Sequence, residues 1–141
     1  MTDWDPAAFT RNLIADMRAN GGRPSTGPMA GRPIGILTTI GAKSGEPRQA
    51  IVTYHMDGDR WAIAASKSGA PTNPAWFHNL EVHPDVTFEV DNEVVSVHAI
   101  VAEGAERDRL WDDHVKERPE FGEYPSKTDR VIPMIVLERI D

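Results

Sequence analysis

Within the stretch Ile36 to Asn79, the cations Lys43, Arg48 and Lys67 stand beside glycines, hydroxyls and small apolar residues. Lys43 and Arg48 stand in Gly41-Ala42-Lys43-Ser44-Gly45-Glu46-Pro47-Arg48, and Lys67 in Ala64-Ala65-Ser66-Lys67-Ser68-Gly69-Ala70. Asn73-Pro74-Ala75-Trp76-Phe77-His78-Asn79 comes soon after. Glycine-bordered backbone N–H groups and cations hold phosphate, while small side chains let a planar ring approach. The pattern suits an anionic ligand with a flat aromatic head. Two alternatives stay open at this level. The cations can equally be solvated on exposed loops, and the Trp76 ring can floor a pocket or plug the end of a barrel.

Other chemistries find less support. A P-loop needs Gly directly before its Lys and another five residues before that Gly, but Ala42 precedes Lys43 and Leu37 occupies the other position. No GxGxxG follows a strand-like run, no GxSxG occurs, and no Ser has Lys three residues later, so dinucleotide binding and nucleophilic serine chemistry are not indicated. The chain has no cysteine, which removes disulfides and thiolate chemistry. Its histidines do not make a metal site. His78 and His83 point to different helix faces, and His55, His98 and His114 read as solitary residues in hydrogen-bonded or half-exposed roles. A net charge of −7 argues against sequence-independent binding of nucleic acid. No signal peptide opens the sequence, and no apolar run approaches the roughly 20 residues of a membrane span. The expectation is a soluble cytoplasmic protein whose 141 residues form a single domain.

The elements that must position these residues read as follows. Asp5-Pro6 opens a helix whose apolar face carries Phe9, Leu13 and Met17, and Asn20-Gly21-Gly22 ends it. Residues 23–33 are a loop that either crosses over the ligand or serves as a spacer. Strands are expected at 34–40, 49–56 and 60–66, the last two joined at Asp57-Gly58-Asp59. Small Ala62 and Ala64 leave room on one face of the third strand. Asn73 caps a short helix with Ala75, Trp76, Asn79 and Leu80 on one face. Strands at 86–90 and 93–101 turn at Asp91-Asn92, and a helix at 105–116 presents Leu110, Trp111, His114 and Val115. Residues 119–128 read as a loop holding Phe121 and Tyr124, and 131–140 as a strand that Pro133 assigns to an edge or a bulge. About six strands in tight hairpins, mainly antiparallel, with about three helices, imply a mainly β or α+β chain curled into a barrel. Residues 1–33 form the helix and variable loop, and 34–141 the ligand-binding barrel.

Several of these motifs, in this order, resemble the deazaflavin-dependent nitroreductase and quinone reductase family, actinobacterial split-β-barrel proteins that use coenzyme F420. The resemblance rests on Leu37 to Arg48, Ala64 to Lys67, Asn73 to Leu80 and Pro119 to Pro133. It implies that Lys43, Ser44 and Arg48 hold the cofactor's phosphate and glutamate tail. Ile51, Val52 and Thr53, with Ala64, Ala65, Ser66 and Lys67, would line the ring, and Ala75, Trp76 and Asn79 would close the pocket. Ser66 and Tyr124 would stand near the reacting face, with Phe121 a further aromatic there. Ile51 replaces a Pro and Ser68 a Gly common among relatives, departures that bear on substrate preference. The implied activity is hydride transfer from reduced F420 to a small-molecule electron acceptor, namely a quinone, nitroaromatic or activated enone. An FMN-binding split-barrel oxidoreductase and a non-catalytic F420 storage protein are the alternatives. A homodimer through the barrel's edges is a further expectation. Membrane association through the N-terminal helix is weighed against its few basic residues.

Overall fold

Period-two alternation drives the architecture: inward positions of each strand are apolar, and the strands close on themselves in a single antiparallel barrel. The computed structural model describes residues 6–22, 33–66, 72–128 and 130–140. The strands are β1 (Ile34–Ile40), β2 (Pro47–Asp57), β3 (Arg60–Ala64), β4 (Asp85–Val90), β5 (Glu93–Val101) and β6 (Met134–Arg139). Their order around the barrel is β1-β2-β3-β6-β5-β4, and β4 pairs back to β1 through Leu37 and Phe88. Leu37, Val52, Trp61, Ile63, Phe88, Val97, Ile135 and Leu137 fill the interior. Asp91 and Asn92, both at positive φ (50° and 65°), form the tight β4–β5 turn that their residue types favour.

Two layers cover the outside. Helix α1 (Pro6–Ala19) buries Leu13, Ile14 and Met17 against Ile34 and Ile36 of β1, with Ile51 of β2 packed alongside. Helix α3 (Gly104–Glu117) and a 3-10 helix (Pro119–Lys127) bury Leu110 and Phe121 against Ala62 and Ala64 of β3 and Met134 and Val136 of β6. The remaining helix, α2 (Ala75–Val82), adds Phe77 and Leu80 to the barrel's interior cluster.

Several sequence expectations change. The residues read as a loop at 119–128 wind into the 3-10 helix, the fourth helix among the described residues where about three were expected. Pro133 marks neither an edge nor a bulge. It precedes β6, which pairs with β3 on one side and β5 on the other, and its carbonyl accepts the Ala65 N–H at 3.0 Å. The space beside Ala62 and Ala64 is filled by the chain's own Leu110 and Phe121. Closure of the barrel removes the free edges through which a dimer was expected. Among the described residues no helix is long and apolar enough to cross a membrane, and the apolar face of α1 is already occupied by the barrel. The loop expected at 23–33 lies, except for Pro33, outside the described residues.

Candidate functional site

The turn between β1 and β2 is built around Gly41, Ser44 and Gly45. Gly41 N–H donates to the Glu46 carbonyl at 2.8 Å, and Gly45 N–H donates to the Gly41 carbonyl at 2.9 Å. Gly45 has φ 72°, a conformation that side chains resist. At Gly41 a Cβ would stand 2.4 Å from Ser44 Oγ, so that position also requires glycine. Ser44 Oγ accepts the Glu46 N–H at 3.2 Å and lies 3.5 Å from Arg48 Nη2. This inner pinning leaves Lys43 and Arg48 exposed. Arg48 also forms a loose ion pair with Glu46, at 3.5 Å, and donates Nη1 to the Pro47 carbonyl at 3.3 Å.

Opposite this loop stands α2, and between them lies a cleft of about 810 Å³. Lys43, Ser44 and Arg48 line one side, Gln49 and Ala50 continue it along β2, and Ala75, Trp76, His78 and Asn79 form the facing wall. Asn79 joins the two sides. Its Oδ1 accepts the Ala42 N–H at 2.9 Å, and its Nδ2 donates to Thr39 Oγ1 at 3.0 Å. Thr39 in turn donates to the Arg48 carbonyl over a longer 3.4 Å. Asn79 and Thr39 are both buried, so this relay works away from water, where an unmade bond is costly. Trp76 packs against the barrel cluster and also lines the cleft.

The sequence-derived candidates therefore divide. Lys43, Ser44, Arg48, Ala75, Trp76 and Asn79 meet at the cleft. Val52 and Ala65 point into the barrel interior, Ile51 packs under α1, and Ala64 lies beneath the 3-10 helix. Thr53 is half-buried opposite Ile34. Ser66 is buried, its carbonyl accepting from Arg130. Tyr124 is half-buried on the 3-10 helix, its ring 5.2 Å from that of Phe121. Lys67 lies outside the described residues. Thr39, Gln49, Ala50 and His78 line the cleft without having been singled out for it. For Gln49 and Ala50 the available signal was their place in the chain directly after Arg48. Asn73 does not cap α2 as expected. Pro74 holds that position without a side-chain cap, and Asn73 Oδ1 accepts from Arg130 instead.

On the far side of β2 the structure corrects a second expectation. His55 and His114 are not solitary: their Nδ1 atoms lie 2.8 Å apart in the seam between β2 and α3, and both rings are buried. One ring donates Nδ1–H and the other accepts, which requires at least one neutral ring. Burial pushes His114 down to about 3, with His55 and Arg118 adding to the effect. Burial also lowers His55, opposed by Glu117, Asp113 and Asp57 and reinforced by Arg109. Nearby, the guanidinium groups of Arg109 and Arg60 hold Asp57 down at about 2. Among the described residues no group of three metal-ligating side chains converges.

Known proteins resemble this chain in sequence and in fold. The family model for F420H2-dependent quinone reductases matches residues 9–139. A protein of Mycobacterium tuberculosis named F420H2-dependent quinone reductase is 39% identical over 107 residues, covering 74% of this chain and 72% of that one. The solved structure of an F420-H2 dependent reductase is 37% identical, with a TM-score of 0.69 over 76% of this chain and 95% of that chain. A second solved structure, described only as a domain-swapped dimer, is 32% identical, with a TM-score of 0.72 over 95% of this chain and 100% of that chain. A sequence match spanning α1 through β6 and a shared barrel lead to one assignment: this chain belongs to the F420H2-dependent quinone reductase family.

Proposed function

We propose that the cleft between the β1–β2 loop and α2 binds coenzyme F420 and that the protein passes hydride from it to a quinone. The observation that carries this reading is the pairing, in one cleft, of two exposed cations with an apolar wall. Lys43 and Arg48 match a phosphate and an acidic tail, while Ala50, Ala75 and Trp76 match a planar ring. The residues present therefore fit the cofactor. Its reduced deazaflavin ring, when bound, supplies the hydride.

The protein's part is to bind, orient and exclude water. Lys43 and Arg48 anchor the anionic end, aided by the contrast between their local charge and the net −7 of the chain. Asn79 and Thr39 hold the anchoring loop against α2, which keeps Trp76 in register with it. Small displacements at such a site matter, since about 1 Å of misplacement costs on the order of 100-fold in rate. Neither Tyr124 nor Ser66 lines this cleft, and it is the family resemblance that supports the Tyr124 hydroxyl as proton donor to the acceptor, with Ser66 the alternative donor. Tyr124→Phe should then lower kcat/KM by about tenfold or more at unchanged F420 affinity. An unchanged kcat/KM assigns the proton to solvent.

Fluorescence titrations with F420 and FMN side by side test the reading. The expected result is saturable binding of F420 and much weaker binding of FMN, and the reverse would overturn it. A panel of quinones, nitroaromatics and enones then defines the acceptor, with quinones expected to turn over fastest. Tight F420 binding with no oxidation of F420H2 would instead indicate storage. The relative described as a domain-swapped dimer supports a homodimer here as well. Because the barrel is closed, that dimer would exchange an element rather than pair strand edges. Light scattering behind a sizing column gives the mass that decides it.

A further inference from the structure

Arg130 lies between the 3-10 helix and β6, yet its side chain reaches two segments distant in sequence. Nη1 donates to the Ala65 carbonyl at 3.0 Å and to Asn73 Oδ1 at 2.8 Å. Nη2 donates to the Ser66 carbonyl at 2.5 Å. Ala65 and Ser66 are the first residues beyond β3, and Asn73 stands just before Pro74 at the entry to α2. A guanidinium is a rigid planar fork, so three acceptors held at once set both a distance and an angle.

We propose that Arg130 is a positioning residue for the cleft, clamping the entry of α2 to the end of β3 so that Trp76 faces the Lys43–Arg48 loop at a fixed distance. This rests on the cleft being the F420 site. The need for such a clamp follows from the helix itself. At eight residues α2 is too short to be stable alone, and it has no side-chain cap. Phe77 and Leu80 anchor it in the barrel cluster, but apolar contacts alone define its rotation poorly. Asn79 pins its cleft-facing side to Ala42 and Thr39. Arg130 supplies the second fixed point by taking up Asn73, the residue that would otherwise be free to cap the helix. The two points together define the orientation of the wall that carries Trp76.

Hydrogen exchange on the full chain tests the clamp without any ligand. In Arg130→Gln the amides of 75–82 are expected to exchange at least tenfold faster, with those of β1 and β4 unchanged. Unchanged exchange across α2 would overturn the proposal. Asn73→Ala removes only the helix arm of the clamp and leaves both carbonyl contacts, so it remains informative if Arg130→Gln does not fold. It too must loosen α2, or the proposal fails. For the cleft, both variants should raise the KM for F420H2 about tenfold while kcat stays within about threefold, and Arg130→Lys should recover part of the loss. A merely structural arginine would lower the folded fraction, and kcat with it, at unchanged KM, which would refute the positioning role. The double variant Arg130→Gln/Asn73→Ala should be no worse than Arg130→Gln, and additive losses would refute the shared clamp. If the unaltered protein does not bind F420, the cofactor reading falls, and the exchange arm still decides whether Arg130 positions α2.

Discussion

The two faces of β2 handle ionisable groups in opposite ways. At the cleft, Lys43 and Arg48 are exposed, and the ion pair of Arg48 with Glu46 is a loose one. Across the strand, in the seam with α3, His55 and His114 are buried and joined at 2.8 Å. Beside them Asp57 is bound by two arginines, with Arg109 at 2.9 Å. Charge left in water keeps its reach toward an arriving anion, whereas groups withdrawn from water must be neutral or paired. The difference predicts a separation of effects. Substitutions at the cleft should change binding and leave stability alone, and substitutions in the seam should do the reverse.

The largest effect tests that separation directly. Lys43→Ala combined with Arg48→Ala should weaken F420 binding by about 100-fold or more, because each charge-assisted contact contributes about 1.5 kcal/mol or more and every 1.4 kcal/mol is tenfold. The thermal midpoint, read by circular dichroism, should hardly move, since neither side chain is buried. Intact affinity would remove the cleft from the mechanism altogether.

In the seam, His114→Ala should cost about 3 kcal/mol in urea unfolding, combining a core cavity with an abandoned Nδ1 on His55. F420 affinity should stay within about threefold. The pair also sets a pH dependence. Its folded-state values lie below the ordinary 6.5, so between that value and about 3 the unfolded chain binds more protons than the folded one. Stability contributed by the pair is complete above pH 6.5 and is lost progressively as pH falls through that window. Asp57 extends the loss, since its value is lowered from 3.8 to about 2. Unfolding at a series of pH values should therefore show a decline beginning near 6.5. Replacing both histidines with phenylalanine should abolish the part of it above pH 4.

Asn79 belongs to both regimes, being buried yet bonded to the cleft loop. Asn79→Ala should cost about 1–3 kcal/mol through the unmet groups at Ala42 and Thr39. It should also weaken F420 binding about five- to tenfold by freeing the loop. A loss confined to either measurement would show that the relay serves one function only.

Local chemistry accounts for what was legible in the sequence. β1 was readable to the residue because Ile34 to Ile40 is β-rich and Gly41 stops it. The β4–β5 turn was readable because Asp and Asn tolerate positive φ. The cationic loop stood out because its glycines and cations are adjacent in sequence. Features made by distant residues were not readable. His55 and His114 are 59 positions apart, so nothing in the spacing of either announced a pair. Arg130 meets Asn73 across 57 positions, and Asn73-Pro74 looked like a helix cap because that is what the dipeptide does locally. The alanines of β3 showed that a space existed but not that α3 and the 3-10 helix would fill it. Pro133 misled for the same reason: a proline forbids a ladder position, but only the topology shows that the strand begins after it.

The smallest effect is the sharpest probe of the cleft's side of the comparison. Glu46 is the carboxylate that approaches Arg48, at 3.5 Å, with both side chains more than half exposed. A pair of this kind is worth little to the fold, on the order of 0.2–1 kcal/mol. Its carboxylate does, however, stand beside the groups proposed to receive an anion, where it both repels the ligand and competes for Arg48. The backbone N–H and carbonyl of Glu46 shape the turn, and they survive a side-chain change. Glu46→Gln should therefore leave the thermal midpoint unchanged and tighten F420 binding about two- to threefold at low salt. The gain should fade toward 1 M salt, where the screening length falls to about 3 Å. If affinity drops instead, Glu46 is holding Arg48 in its binding pose, and the cleft would then share the logic of the seam, with charges paired for structure before any ligand arrives.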